Sequence, residues 1–357
     1  MATMKKSPNK MTYGNFQDPI GLVLRMLKSG KKAAYTSLVR EFMALMMLPI
    51  DRLLKHQEIT LLHRTPNDHP LPVILVVGPP RSGSTLIYQA LASSLPVSYL
   101  TNFGALFSDS PIVASKWFDR FLSHSPPTLK SYFGNTEKLS DPNDGFNIWD
   151  RWLGKDRYCP NRTFTPLQQE EMNRFFNTWT ATFKRPLINK NNRNTTCMDV
   201  LAASLDNVYF IVVNRDPVFV AQSLLLAREE IQGSRDIGWG LGSNLISDRY
   251  ESNSGLHQVA EQVAWIYSTL DQQMQKIPSD RLIKVKYETF CQDPNSVISD
   301  IYAHIWHTIP GSFNLPQQLN SFKISQNIRL SPDEFQQLQN LVQHYFKMYA
   351  KESTLVD

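Results

Sequence analysis

Apolar residues recur along the chain with two different spacings, one typical of helices and one of buried strands. Between residues 17 and 63 they return every three to four positions, which predicts two or three amphipathic helices. From residue 73 onward, short continuous apolar runs bounded by turn residues predict the strands of a buried parallel sheet. The predicted strands are 73–77, 186–189, 208–213 and 282–286.

Helical patterns separate these strands and follow the last of them. They cover residues 85–95, 166–184, 197–205, 217–231, 256–276, 296–306 and 332–348. Because strands that alternate with helices form parallel sheets, the predicted fold class is α/β, a parallel β-sheet flanked by helices. Residues 1–68 are predicted to form a helical N-terminal extension, and 69–357 the main domain.

Residues 103–165 break this alternation and are rich in aromatic residues spread among Pro, Gly, Ser and Asp. A long insertion at the ligand end of an α/β sheet is often a lid over a substrate. The alternative is that these rings only pack a small core of their own. The sequence predicts an acceptor-site insertion and leaves both roles for the rings open.

Composition excludes few classes of protein. The 357 residues carry a formal net charge of +5, a mild basic bias that suits small anionic ligands and does not demand nucleic acid. Cys159, Cys197 and Cys291 lie far apart without C-x-x-C spacing, so neither a disulfide framework nor a zinc site is predicted. A reducing compartment, and hence a cytoplasmic location, is expected.

The N-terminal helices raise the question of a membrane. The longest apolar stretch there, 42–50, is shorter than the ~18 residues of a spanning segment. Basic residues accompany these helices: Arg25, Lys28, Lys31, Lys32 and Arg40. They predict a solvated face on helices packed over the main domain, and peripheral contact with a membrane surface stays open as the alternative.

The strand at 73–77 is followed by a loop that is typical of phosphate binding. Gly78, Gly83 and Thr85 match the spacing G-x-x-x-x-G-K-[ST], but Ser84 occupies the lysine position and Arg81 precedes the second glycine. Backbone N–H groups from residue 81 to residue 85 would converge on an anion at a helix N-terminus. With arginine moved forward, the loop fits an anionic chain shorter than a triphosphate.

A second motif follows the predicted strand 208–213. Arg215 stands at the carboxyl end of that strand, Pro217 suits the first turn of the next helix, and Ser223 lies about two turns further on. A guanidinium and a hydroxyl at the ligand edge of the sheet could hold a second phosphate. The same residues would also suit the start of a helix with an internal ion pair. The motif therefore indicates phosphate binding only in combination with the first loop.

Together these motifs resemble those of sulfotransferases that use 3′-phosphoadenosine 5′-phosphosulfate (PAPS). The segment from Arg81 to Thr85 resembles the 5′-phosphosulfate loop, and Arg215 with Ser223 resembles the 3′-phosphate motif. Tyr287 resembles a tyrosine beside the nucleotide, and the likeness covers residues 72–300. It implies the sulfotransferase version of the P-loop nucleotide-hydrolase fold. The donor-binding residues it implies are Arg81, Ser82, Gly83, Ser84, Thr85, Arg215, Ser223 and Tyr287.

The resemblance also implies in-line transfer to an acceptor hydroxyl, with the bisphosphate nucleotide PAP as product and no metal. A cation near the departing oxygen stabilises the transition state, and Arg81 and Lys190 are the candidates. Many relatives carry a glutamate about twenty residues after the loop, where this chain has Thr101 and Asn102. The general base is therefore expected in the insertion, at His124, Asp109 or Asp144.

Two alternatives to sulfuryl transfer remain at this point. An ATP-dependent kinase should have the loop lysine and a metal-binding acid at a strand end; the lysine is missing, and Asp216 is a poor candidate for the acid. An inactive nucleotide-binding protein of the same fold would explain the missing glutamate. The acceptor is expected to be a small molecule, a carbohydrate or a lipid, and no nucleic-acid partner is expected.

Overall fold

The computed structural model describes residues 16, 18–66, 70–119, 127–247, 255–306 and 318–354. Four parallel strands form its central sheet, in the order β4-β1-β5-β6. In chain order the strands are β1 (Val73–Val77), β2 (Ser131–Tyr132), β3 (Asn135–Thr136), β4 (Leu187–Lys190), β5 (Val208–Asn214) and β6 (Leu282–Lys286). Strands β2 and β3 form a separate antiparallel hairpin.

Helices connect and cover the strands. In the described part of the chain they are α1 (Pro19–Lys28), α2 (Lys32–Arg64), α3 (Ser84–Ser94), α4 (Pro111–Asp119), α5 (Phe146–Leu153), α6 (Pro166–Phe183), α7 (Met198–Ser204), α8 (Pro217–Gln232), α9 (Ser243–Ser247), α10 (Gly255–Met274), α11 (Tyr287–Gln292), α12 (Pro294–Trp306) and α13 (Pro332–Thr354). The helices and strands predicted from apolar spacing are confirmed, with ends that differ by a few residues. The predicted α/β class is likewise confirmed.

Both faces of the sheet are buried, which explains the continuous apolar runs of its strands. Ile74 and Val76 face a core that includes residues of α3 and α12. Leu75 and Val77 face the opposite core, together with residues of α6, α7 and α10. The chain leaves β1 toward β4 and leaves β5 toward β6, so the carboxyl ends of β1 and β5 flank a topological switch point, where α/β proteins bind ligands.

The aromatic insertion divides between the two expected roles. It contains α4, the β2–β3 hairpin and α5, which apolar spacing did not predict. Trp149 and Trp152 of α5 are buried against Phe175 and Phe176 of α6, within the core on one face of the sheet. Phe133, at the tip of the hairpin, lies instead over the phosphate-type loop. Two of these rings therefore join the main core, Phe103 and Phe107 join a small core with α2 and α4, and Phe133 contacts the candidate site.

The N-terminal helices are attached to this insertion. Leu22 and Met26 of α1 share a small core with Tyr132 of the hairpin. On α2, the buried Arg40 donates a hydrogen bond to Asn135 Oδ1 at 3.2 Å. The helices α1 and α2 therefore help to position the hairpin.

Two buried carboxylates fasten the rest of α2. Asp51 accepts hydrogen bonds from Ser110 Oγ at 2.6 Å and from the Asp109 N–H at 3.0 Å. Glu58 accepts from the N–H groups of Ile112 and Val113, at 3.2 and 2.8 Å, in the first turn of α4. The helix N-terminus and these two donors stabilise a carboxylate that is otherwise enclosed.

We expect Glu58 to make stability depend on pH. Burial raises the pKa of its carboxyl to about 7, although the hydrogen bonds from the two backbone N–H groups act to lower it. In the unfolded chain the carboxyl loses its proton near pH 4.3, so between these values the folded state binds more protons and stability falls as pH rises. The free energy of unfolding of the wild type should fall by roughly 3 kcal/mol from pH 4 to pH 8 relative to Glu58→Gln.

Denaturant unfolding at pH 4, 6 and 8 measures this difference. Glu41→Gln is the matched control, because Glu41 lies on the same helix and is exposed. Its stability curve should run parallel to that of the wild type. If the curves of the wild type, Glu41→Gln and Glu58→Gln were all parallel, the raised pKa of Glu58 would be wrong.

Candidate active site at the strand ends

The loop after β1 has the shape that its sequence predicts. It runs from Gly78 to Gly83, and α3 begins at Ser84. Arg81 and Gly83 adopt positive φ angles of 73° and 93°, so the chain turns sharply into the helix N-terminus. A β-carbon at Gly83 would lie 2.3 Å from Cδ2 of Tyr287, so only glycine fits both the backbone angle and the contact with that ring.

Thr195 fixes the start of the loop. Its hydroxyl accepts a hydrogen bond from the Gly78 N–H at 3.1 Å and donates one to the Gly78 carbonyl at 3.0 Å. Thr195 belongs to a 3₁₀ turn, Asn192–Thr196, that follows β4. Sequence reasoning missed this residue, because no spacing rule connects a threonine after β4 with a loop after β1.

The two predicted anion-binding motifs meet at this crevice. Arg81 Nε donates a hydrogen bond to Ser223 Oγ at 3.1 Å. Arg215 Nη1 donates to the Arg81 carbonyl at 2.8 Å. Tyr267 holds the Arg215 backbone, since its hydroxyl donates to the Arg215 carbonyl at 2.5 Å. The residues that the sequence placed after β1 and β5 therefore form one cluster.

Some donors in this cluster are buried without a hydrogen-bond partner among the described residues. They include Ser82 Oγ in the loop and Arg215 Nε. Burying an unsatisfied hydrogen-bond donor costs roughly 1–3 kcal/mol, so a ligand that accepts from these two atoms would recover part of that cost. A phosphate-type anion, which is rich in acceptor oxygens, fits this set of donors.

Tyr287 and a late segment close the cluster on another side. The guanidinium of Arg215 lies 4.6 Å from the centroid of the Tyr287 ring. Arg215 also donates to the carbonyl of Ser325, whose own N–H lies 3.4 Å from the Tyr287 hydroxyl. Sequence reasoning missed Ser325, because residues 318–330 form no helix or strand and carry no periodic pattern.

Positive charge accumulates around Arg81. Burial, together with the charges of Arg215 and Arg329, lowers the pKa of its guanidinium to about 10, while the charge of Glu230 acts in the opposite sense. Arg81 therefore keeps its charge at neutral pH. Because like charges at close range are relieved by a bound anion, the cluster favours a ligand with more than one negative group.

A buried ion pair lies beside the loop. Lys190, the last residue of β4, is adjacent to Val76 of β1 in the sheet, and its Nζ lies 2.8 Å from Asp144 Oδ2. Asn191 Nδ2 donates to the Asp144 carbonyl at 3.1 Å. Burial raises the pKa of the Asp144 carboxyl, and the charges of Lys190, Arg40 and Arg157 oppose the rise.

The hairpin tip brings this pair and the loop together. A β-carbon at Gly134 would lie 3.6 Å from Asp144 Oδ2, 3.7 Å from Lys190 Nζ and 4.0 Å from Thr85 Oγ1. The loop hydroxyl, the ammonium and the carboxylate therefore surround the same small space. Beside it, the Phe133 ring centroid is 4.8 Å from the Arg81 guanidinium.

The other predicted base residues differ in their positions. His124 lies outside the described residues. Asp109 pairs with Lys55 at 3.3 Å on the surface, against α2. Asn102, in the segment where the resemblance led us to look for a glutamate, is buried and donates to Thr136 Oγ1 and the Lys138 carbonyl, both at 2.7 Å. Of the predicted bases that the structure describes, Asp144 is therefore the one beside the loop.

The acid expected of a kinase has a structural role here. Asp216 accepts a hydrogen bond from the Val218 N–H at 2.9 Å and caps the N-terminus of α8. Among the described residues, no three His, Cys, Asp or Glu side chains gather into a group that could hold a metal ion. The predicted absence of a metal remains a prediction.

Solved structures and a family profile show what this chain is similar to. A sulfotransferase of Mycobacterium avium superposes with a TM-score of 0.48 at 16% identity, over 82% of this chain and 73% of that chain. A sulfotransferase of Mycobacterium tuberculosis superposes with a TM-score of 0.46 at 14% identity, over 94% and 91%. No curated protein matches the sequence. The sequence profile described as "Sulfotransferase family" matches residues 72–308, from β1 through α12. The match covers well over half of the chain, which therefore belongs to the sulfotransferase family.

Proposed function

We propose that this protein transfers a sulfuryl group from PAPS to the hydroxyl group of an acceptor. The observation that carries the proposal is the direct contact of two anion-binding motifs, through the hydrogen bond from Arg81 Nε to Ser223 Oγ. One motif alone would suit any phosphate. Two joined motifs with buried, unpaired hydrogen-bond donors suit a nucleotide that carries a 5′-phosphosulfate and a separate 3′-phosphate.

Each part of the donor has a group to hold it. The loop N–H groups, Ser82 and Thr85 suit the 5′ side, at the N-terminus of α3. Arg215 and Ser223 suit the 3′-phosphate, because a guanidinium offers a fixed fork of donors to phosphate oxygens. The Tyr287 ring, which packs on Gly83 and faces Arg215, suits the nucleoside between them.

The transfer step divides between cations and a base. When bound, the donor supplies an electrophilic sulfur and a phosphate leaving group. The acceptor oxygen forms a bond to sulfur while the bond from sulfur to the phosphate oxygen breaks, and the acceptor proton moves to Asp144. Arg81 and Lys190 stabilise the charge that develops on the departing oxygen, and PAP is the product.

The raised pKa of Asp144 suits this role. A base that holds its proton more tightly than an ordinary aspartate draws the acceptor proton more strongly, provided that it is ionised when the reaction begins. The charge of its partner Lys190 opposes this rise and favours the ionised carboxylate. The proposed acceptor is the hydroxyl group of a small molecule, a carbohydrate or a lipid. The proposed location of the protein is the cytoplasm.

Donor binding tests the 3′-phosphate assignment. Ser223→Ala and Arg215→Ala should weaken binding of PAP by about 10- to 100-fold, because each removes hydrogen bonds to a charged group. Binding of adenosine 5′-phosphosulfate, which lacks the 3′-phosphate, should change far less. Isothermal titration calorimetry measures the binding of both ligands. The control is Ser93→Ala, because Ser93 lies outside both motifs and bonds to the Ala90 carbonyl within α3. Equal losses for the two ligands would refute the assignment.

Turnover tests the base. Asp144→Asn should lower kcat by roughly 10²- to 10⁴-fold, the usual contribution of general base catalysis, while PAP still binds. In the wild type, kcat should rise with pH as Asp144 loses its proton, and this rise should vanish in the variant. Asp109→Asn, on the surface, serves as the control. Loss of turnover in His124→Gln together with an active Asp144→Asn would assign the base to His124.

Nucleotide preference separates this function from a kinase. PAP should raise the melting temperature of the wild type, because a ligand that binds the folded state stabilises it by mass action. ATP with magnesium should have little effect, since Ser84 replaces the loop lysine and Asp216 caps a helix. Stabilisation by ATP with magnesium and none by PAP, in a thermal-shift titration, would favour the kinase.

A further inference from the structure

The two N-terminal helices expose apolar side chains on the side away from the domain. On α2 the exposed residues include Tyr35, Val39, Phe42, Met46, Ile50 and Leu53. At about 100° per residue, these six positions fall within an arc of about 80°, while the exposed Leu45, Leu48 and Ile59 lie outside it. On α1 the exposed residues are Ile20, Val23, Leu24 and Leu27, opposite the buried Leu22 and Met26. We call these ten residues the outer face.

The helix α2 buries charged residues and exposes apolar ones, which is unusual for a helix at a protein surface. Its buried side contains Arg40, Asp51 and Glu58 beside the apolar Ala33, Ala34 and Leu54, and Asp51 and Glu58 are each 1% exposed. Its outer side contains Phe42 and Leu53, which are 65% and 76% exposed. A helix on the surface of a protein in water normally turns its apolar stripe to the core, so an outward stripe of this length marks an interaction surface.

We propose that the outer face binds to the surface of a lipid bilayer that carries anionic headgroups. Charge complementarity supports this partner. Exposed Lys28, Lys32 and Arg52 accompany the outer face, and the sequence before α1 adds Lys5, Lys6 and Lys10. Large apolar side chains beside clustered basic residues are the combination with which a helix lies in a membrane interface.

The internal contacts of α2 indicate that the helix lies along the bilayer instead of crossing it. By length and composition alone, α2 could cross a membrane, and little of its most apolar part is buried. However, Arg40, Asp51 and Glu58 join it to the domain over roughly 27 Å of helix. A crossing helix would carry these charged groups into hydrocarbon without their partners, which is costly.

The proposal goes beyond sulfuryl transfer and does not depend on it. Vesicle sedimentation of the full chain tests it, with vesicles of phosphatidylcholine alone and vesicles that include about 30% phosphatidylglycerol. The wild type should bind the anionic vesicles, and added salt should weaken the binding. Lys28→Glu with Lys32→Glu should reduce the binding to the anionic vesicles several-fold.

Phe42→Glu with Leu53→Glu tests the apolar contribution. Both side chains point away from the domain, so the variant should keep the wild-type melting temperature and lose at least about tenfold in its partition coefficient. Ile328→Glu is the matched control, since Ile328 is an exposed apolar residue outside the N-terminal helices and its substitution adds the same kind of charge. The control should bind vesicles like the wild type.

Three outcomes would overturn the proposal. The first is a wild type that stays in the supernatant with both kinds of vesicle. The second is an equal loss in Ile328→Glu and in the double variant, which would show a general effect of charge. The third is a wild-type dimer in light scattering that becomes a monomer in Phe42→Glu with Leu53→Glu while no vesicles bind, which would assign the outer face to a second copy of the chain.

Discussion

Positive charge is held at close range where β1 and β5 end, and most of the site depends on how the fold supports it. Arg81 and Arg215 are joined through a backbone carbonyl, and Ser223 bonds directly to Arg81. Repulsion and burial both act against these cations, which lowers the pKa of Arg81. The fold compensates with carbonyl acceptors and an aromatic face, and a multiply charged anion would relieve what remains.

The same constraint explains residues that have no chemistry of their own. Gly83 allows both the left-handed turn into α3 and the contact with Tyr287. Thr195 ties the loop to the turn after β4, and Tyr267 holds the backbone of Arg215. These residues keep the donors of the loop in place before any ligand binds. Preorganised donors stabilise developing charge without the cost of reorienting during the reaction.

The N-terminal helices take part in this arrangement through the hairpin. Tyr132 packs against α1, Arg40 of α2 bonds to Asn135, and the tip between them lies over Arg81 and beside Lys190. The polar inner side of α2 therefore supports the site, while its apolar outer side is available for the proposed bilayer contact. One helix thus connects the place where the protein would dock with the place where it would react.

The sequence by itself determined the α/β class, the order of the strands along the chain and the two anion motifs, because apolar spacing and glycine positions depend on local backbone geometry. It also named Asp144 among the possible bases. It could not show that Asp144 meets Lys190 and Thr85 at the tip of the hairpin, or that Thr195 and Ser325 reach the loop. Those contacts join residues far apart in the chain, so only the packing of helices, hairpin and sheet decided them. The outward apolar face of α2 has the same origin: spacing predicted an amphipathic helix, and tertiary contacts decided which side faces the domain.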